Sequence, residues 1–150
     1  MGVFVYNGAS FNTITENYII QTTTTLANSI GMYFYTGTSN NIITNNNISN
    51  FETNIYLRDT VYNNTLTNNR VSISSSRGFQ ISTSGGNNTY SNNYAFNATG
   101  GGFLDSVGTS TYNNNTANIS SNYGFGSDSG SDAIFSNNSA YGMTKYGLIS

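Results

Sequence analysis

The chain has no cysteine, no histidine, no proline and no tryptophan, and only four basic and six acidic residues among 150. Each absence removes a class of chemistry. Without cysteine or histidine there is no thiol nucleophile, no disulfide framework, no zinc finger and no imidazole base. The basic side chains Arg58, Arg70, Arg77 and Lys145 form no cluster that could neutralise nucleic-acid phosphates, and they read as solubilising or edge charges. No apolar run approaches the roughly 18 residues of a membrane helix, so neither nucleic acid nor membrane insertion is expected. What fills the chain instead is Asn, Ser and Thr, at 27, 21 and 20 residues, with 12 Tyr and 9 Phe. Low charge alone would suggest disorder, but disorder comes with few aromatic and β-branched residues. Asn and Thr mixed with Ile, Val, Phe and Tyr are an alphabet of strands and turns. The length allows one domain, spanning 1–150.

That alphabet repeats. Asn17, Asn46, Asn69, Asn93, Asn115 and Asn138 each close a short polar cluster, at gaps of 29, 23, 24, 22 and 23 residues. Three residues before them stand Ile14, Ile43, Leu66, Tyr90, Tyr112 and Phe135. Two residues after them stand Ile19, Ile48, Val71, Ala95, Ala117 and Ala140. A third column on the same period pairs Gly2, Gly31, Asn54, Gly78, Gly102, Gly124 and Gly147 with Val3, Met32, Ile55, Phe79, Phe103, Phe125 and Leu148. Glycine with one asparagine suggests a sharp corner of positive φ at that place.

Segments this short cannot bury an apolar face alone. If successive units wind into coils, each strand pairs in parallel with its equivalent one coil away, about 4.8 Å along the axis. Like then lies over like: apolar columns fill the interior, and an inward asparagine can build a side-chain amide ladder at a bend. A period near 23 fits three strands and three corners per coil. The pattern Gly-Phe-x-Ile followed by Asn-x-Tyr-x-Asn-Asn-x-Ala resembles the right-handed parallel β-helix repeat, the fold of pectate lyases, polygalacturonases and many surface and fibre proteins. The resemblance runs from Gly2 to Ile149. It implies an all-β, right-handed parallel β-helix (β-solenoid) of about six coils of 22–24 residues, roughly 30 Å long by the inter-strand spacing. The first coil departs from the period, and Gln21 to Ser29 suggest an extruded loop there.

The resemblance also implies an extracellular or cell-surface setting, with the solenoid engaged with polysaccharide or built into a fibre. Carbohydrate-cleaving relatives work with clustered Asp, a Lys or Arg and often a His, because glycosidic cleavage needs an acid and a base or nucleophile set apart. None of those catalytic motifs can be placed on this chain, so no catalytic residue, cofactor or metal is expected and the protein is read as a non-enzyme. Asp105 and Asp128, 23 apart, could still neighbour each other on adjacent coils with Asp132 close by, as a carboxylate dyad or a calcium site; a solvated loop is the simpler reading. Tyr33, Tyr35, Tyr56 and Tyr94 offer platforms for sugar stacking. Outward pairs such as Thr13 and Thr15, Thr65 and Thr67, or Thr89 and Ser91 form an imperfect Thr-x-Thr array of a kind that can order water and bind ice, although strand propensity alone yields the same pattern.

The sequence opens and closes inside equivalent strands with no evident cap, and no leader of charged and apolar residues is expected before Val3. Gly2, Val3 and Val5 of one copy could then continue the columns of Gly147, Leu148 and Ile149 of another. Head-to-tail stacking of this heterologous kind makes an end-to-end homopolymer, a filament or surface layer, and that structural role is the leading functional expectation, with polysaccharide as a further partner; the alternative is a carbohydrate-binding or carbohydrate-degrading fragment of a longer β-helix. Seven Asn-x-Ser/Thr sequons, at Asn47, Asn63, Asn87, Asn97, Asn114, Asn118 and Asn137, fit a glycosylated surface protein, though several are expected by chance at this composition.

Overall fold

The structure, a computed structural model, describes every residue except 24–26, 83–85, 107, 119–120, 129–130 and 150. Among the described residues, nineteen strands form three parallel sheets that wrap one core. The first sheet stacks β1 (Val3–Tyr6), β4 (Ile30–Tyr35), β7 (Thr53–Arg58), β10 (Arg77–Ser82), β13 (Gly101–Asp105), β16 (Tyr123–Ser127) and β19 (Tyr146–Ile149). The second stacks β2 (Thr13–Thr15), β5 (Ile42–Thr44), β8 (Thr65–Thr67), β11 (Thr89–Ser91), β14 (Thr111–Asn113) and β17 (Ile134–Ser136). The third stacks β3 (Tyr18–Ile20), β6 (Asn47–Ser49), β9 (Arg70–Ser74), β12 (Tyr94–Ala98), β15 (Thr116–Asn118) and β18 (Ser139–Tyr141). Each coil therefore contributes one strand to each sheet, as the three sequence columns require. Part of the expected first-coil loop, residues 24–26, lies outside the described residues.

The columns read from sequence are the columns of the core. Ile14, Ile43, Leu66, Tyr90, Tyr112 and Phe135 are register partners down the second sheet. Val3, Met32, Ile55, Phe79, Phe103, Phe125 and Leu148 follow down the first sheet. Their sizes compensate. Where the first two columns turn aromatic, the third shrinks from Ile19, Ile48 and Val71 to Ala95, Ala117 and Ala140, which keeps the cross-section at the near-constant packing density that protein interiors demand. The rings so admitted stack along the axis, Phe79 on Phe103 at 4.6 Å and Tyr90 on Tyr112 at 4.6 Å, with Phe103 meeting Tyr112 edge-on at 6.2 Å.

Most left-handed residues among those described are asparagine, with Gly8, Gly37 and Gly142 the glycines among them. Asn45, Asn68, Asn92, Asn114 and Asn137 all take left-handed φ values between 53° and 56°, a conformation that asparagine tolerates better than other residues with a Cβ. Each of the first four donates its backbone N–H to a carbonyl of the next coil, as Asn68 does to Ser91 at 3.1 Å. The glycine column is not a corner, contrary to the expectation from sequence. None of Gly2, Gly31, Gly78, Gly102, Gly124 and Gly147 has positive φ. A Cβ on Gly78 would instead come within 2.7 Å of the Gly102 carbonyl oxygen and 3.1 Å of Ala95 and Val71. Glycine is needed there because the first and third sheets approach closely.

Two asparagine ladders pin the bends. Asn17, Asn46, Asn69, Asn93, Asn115 and Asn138 pass hydrogen bonds from amide to amide, each donor reaching the Oδ1 of the next at 2.9–3.1 Å. A second ladder, not singled out in the sequence, runs through Asn12, Asn41, Asn64 and Asn88. It stops at the next coil, where Ser110 takes the place of asparagine.

Candidate functional site

The outward face of the first sheet carries the largest group of aromatic side chains on the surface. Phe4, Tyr33 and Tyr56 share one register column, and Tyr6, Tyr35 and Arg58 share the next outward one. Alternation puts both columns outside, because Val5, Phe34 and Leu57 between them point inward. The rings stack: Phe4 with Tyr6 at 4.8 Å, Phe4 with Tyr33 at 5.3 Å, Tyr33 with Tyr35 at 5.4 Å and Tyr33 with Tyr56 at 5.5 Å. Arg58 closes the second column with its guanidinium 6.0 Å from the Tyr35 ring centre.

The stack has an end. In the coil after Tyr56 the column holds Gln80, so the Tyr56 face turned away from Tyr33 has no aromatic partner among the described residues. Tyr56 is fixed by a 2.6 Å hydrogen bond between its hydroxyl and Ser82 Oγ. Beside it opens a groove of about 500 Å³, lined by Tyr33, Tyr56, Arg58, Gln80, Glu52 and Ser76 among others. Burial raises the Tyr33 phenol above its ordinary range, and the neighbouring Arg58 opposes that rise. The Tyr33 phenol therefore stays a neutral donor near neutral pH. Glu52, the one carboxylate lining the groove, is already engaged: it accepts from the Asn28 backbone N–H, while its own N–H donates to Ser29 Oγ at 2.9 Å. The groove thus offers a ring face, neutral hydroxyls and amides, and one cation. It has no pair of carboxylates.

The residues singled out from sequence are distributed as follows. Tyr33, Tyr35 and Tyr56 converge, but Tyr94 lies on the third sheet, where Arg70 covers its ring at 4.8 Å and Asn118 donates to its hydroxyl at 3.1 Å. Phe4 and Tyr6 belong to the strip and were missed; the alternation Val3-Phe4-Val5-Tyr6 was the available signal. Asp105 and Asp128 do lie on adjacent coils, where the Asp128 N–H donates to the Asp105 carbonyl at 3.0 Å, but their side chains part. Asp105 is fully buried, whereas Asp128 and Asp132 are exposed. Among the described residues no group of three acidic side chains could hold a metal ion. Arg77, read as a surface charge, lies over the Tyr123 ring at 5.5 Å, and the gap between them in the column is filled by Gly101, where a Cβ would strike that ring.

The Thr-x-Thr array is present on the second sheet as two outward columns, Thr13-Ile42-Thr65-Thr89-Thr111-Ile134 and Thr15-Thr44-Thr67-Ser91-Asn113-Ser136. In the second column the side chains bond one another, Thr67 to Ser91 at 3.1 Å and Ser136 to Asn113 at 3.1 Å. Among the sequons, Asn63, Asn87, Asn114 and Asn137 are exposed corner residues with φ of 53–56°, Asn97 is exposed within β12 at φ 53°, and Asn47 and Asn118 sit half-buried in strands. The sequon of Asn118 runs into residues outside the described set. Four of the seven, at Asn63, Asn87, Asn114 and Asn137, consist of a corner asparagine, a ladder asparagine and a strand Thr or Ser. The geometry of the coil writes those triplets by itself.

Of the residues expected at an end-to-end contact, Val3 and Val5 are half-buried on the open edge of β1, and Gly147 and Leu148 are exposed on the open edge of β19 beside the half-buried Ile149. A cavity of about 240 Å³ opens beside Leu148, lined by Phe125, Phe135, Asn138 and Ala140. No curated protein and no solved structure matches the chain. A family model described as the right-handed β-helix region does match, over residues 1–140. With three parallel sheets and a stacked core in register along that span, the chain belongs to the right-handed β-helix family.

Proposed function

We propose that this β-helix repeat protein binds carbohydrate without cleaving it, in an extracellular or cell-surface setting, through the groove at Tyr56. The reading is carried by the interrupted ring stack: one tyrosine face without an aromatic partner among the described residues, next to Arg58, Gln80 and Ser76 in a groove of about 500 Å³. A sugar ring has an apolar face of C–H groups and a rim of hydroxyls. An aromatic face bordered by a few convergent polar groups fits both at once. The absence of cleavage is part of the proposal, and it is supported by the single, already engaged carboxylate in the groove. Screening the purified protein against soluble oligosaccharides, by calorimetry and by product analysis, tests it. Binding that Tyr56→Ala weakens, with no product formed, is the expected result. Binding unaffected by Tyr56→Ala, or none to any oligosaccharide, would reject the site.

A second role, head-to-tail stacking into a filament or layer, is favoured by the polarity of the long ladder. Asn17 Oδ1 accepts nothing among the described residues, while Asn17 donates onward to Asn46. At the other end Asn138 accepts from Asn115. A copy placed with its Asn17 over Asn138 would add a rung, and would set Gly2, Val3 and Val5 against Gly147, Leu148 and Ile149. Negative-stain microscopy over a dilution series separates the outcomes. Unbranched filaments that lengthen with concentration support stacking, and discrete particles at every concentration exclude it.

A further inference from the structure

Asp105 stands at a place in the first sheet that earlier coils fill with Val5, Phe34, Leu57 and Ile81. Its exposure is 0%. Tyr112 donates its hydroxyl to Asp105 Oδ2 at 3.2 Å. The other carboxyl oxygen, Oδ1, has no partner, and neither do the hydroxyl oxygens of Tyr90 and Ser110; all three atoms are closed to solvent. The cluster has a structural origin. The aromatic columns bring two phenol hydroxyls into the core, and the second ladder ends where Ser110 replaces asparagine, which removes the amide that would have supplied donors and acceptor there. The titratable groups that face Asp105 are Tyr90, Tyr112 and, one coil on, Asp128, whose charge opposes ionisation of Asp105. Arg77, the cation of the neighbouring β10, is at the opposite end of the strand and lies over Tyr123. Among the described residues no lysine or arginine forms an ion pair with Asp105.

We propose that Asp105 is a proton-operated joint in the solenoid: a neutral carboxylic acid while the coil of β13 and β14 is closed, and a carboxylate released to water when that coil opens. As an acid its O–H can donate to the Ser110 hydroxyl oxygen, which has no other partner. As a buried carboxylate without a counter-charge it would be strongly disfavoured. Burial raises the Asp105 carboxyl above its ordinary range, the Asp128 charge adds to this, and the surrounding hydroxyls offset it only in part. The sign follows. A carboxyl with a raised pKa in the folded chain contributes stability that is complete below its unfolded value, about 3.9, and is lost as pH rises through the folded value. The joint is tight in acid and loosens toward neutrality.

Two measurements on the full chain test this. Carbon NMR of the aspartate carboxyls reads the Asp105 titration directly in the wild-type fold, and its midpoint should lie above the ordinary carboxylate range. Chemical denaturation across mildly acid to neutral pH, compared with Asp105→Asn, reads the consequence. The wild type should lose up to about tenfold in its folded-to-unfolded ratio per pH unit in the window between the two pKa values, relative to the variant, whose amide cannot ionise. Hydrogen exchange should show β13 and β14 opening first as pH rises. Titration of Asp105 in the ordinary range overturns the proposal whether or not the variant folds. Identical pH slopes for the two chains overturn it as well.

Discussion

Asn69 donates both its backbone N–H and its side-chain amide to one atom, Asn93 Oδ1, at 2.9 and 3.1 Å. The same two groups of Asn46 converge on Asn69 Oδ1, each at 3.0 Å. The Asn69 amide also reaches the Ile43 carbonyl at 2.8 Å. One side chain thus ties its own coil to the coils on both sides of it, at buried groups. Replacing it with alanine strands the Asn46 backbone N–H and removes the amide donor of the Ile43 carbonyl, while the Asn46 side-chain amide keeps the Ile14 and Thr44 carbonyls at 2.9 and 3.0 Å. With a buried unsatisfied group worth about 1–3 kcal/mol, Asn69→Ala should destabilise the chain by roughly 2 kcal/mol or more, read from urea unfolding. Asn17→Ala should lose much less, because Asn17 Oδ1 serves no donor among the described residues.

The glycine column gives a second contrast. A Cβ on Gly31 would collide with Ile48 and approach the Asn54 carbonyl oxygen at 2.6 Å and the Phe51 ring at 3.0 Å. Backbone on one side and a packed core on the other leave no room to give. Gly31→Ala should therefore destabilise by about 1–3 kcal/mol, the usual range for overpacking. Gly147, one of the same column, would meet only Ala140 at 3.7 Å. Gly147→Ala should be close to neutral in the same thermal or urea assay.

That contrast also shows how far the sequence was legible. Registered columns, period, strand count per coil and the long ladder follow from composition and spacing alone, because in a stacked parallel solenoid every constraint recurs once per coil. What did not recur was not legible. Glycine in a column signals a backbone need, but whether that need is positive φ or close approach depends on the sheet across the core, and here it is close approach to Ile48, Val71 and Ala95. The second ladder occupies only Asn12, Asn41, Asn64 and Asn88, in a chain so rich in asparagine that four registered copies do not stand out. Asp105 looked like a partner for Asp128 on spacing; strand alternation instead turns it inward, into a column of hydrophobic residues. The sugar-stacking tyrosines were visible as residues, yet the break at Gln80 that leaves Tyr56 a free face needs the register.

The buried phenols make an alkaline prediction. Burial holds Tyr90 and Tyr112 well above the ordinary tyrosine range. A raised folded pKa in an acid means stability that is complete below the unfolded value, about 10, and falls as pH climbs past it. Phenolate absorbance during alkaline titration should therefore show two phases. The accessible tyrosines ionise reversibly, and Tyr90 and Tyr112 appear only together with loss of the β-sheet signal. Tyr90→Phe, which keeps the ring stack with Tyr112 and removes a hydroxyl that has no partner, should fold at least as stably as the wild type and remove one phenolate from the late phase.

The aromatic strip can be dissected the same way. Tyr33 is wedged between Phe4 at 5.3 Å and Tyr56 at 5.5 Å, whereas Tyr56 has a ring on one side only. If sugar binds on the free face, Tyr56→Ala removes the platform and Tyr33→Ala removes only its support. Taking an aromatic contact as about 1–1.5 kcal/mol, Tyr56→Ala should weaken oligosaccharide binding by roughly tenfold, and Tyr33→Ala by less. Gln80→Tyr extends the stack by one ring, covers the free face of Tyr56 and presents a new face one coil further from Arg58. It should preserve the fold while shifting which oligosaccharides bind, because the polar partners no longer sit beside the exposed ring. Tyr94→Ala on the third sheet should leave binding unchanged, since that ring is already covered by Arg70 at 4.8 Å. Equal losses from Tyr56→Ala and Tyr94→Ala in one calorimetric series would show that general destabilisation, and not the strip, governs the affinity.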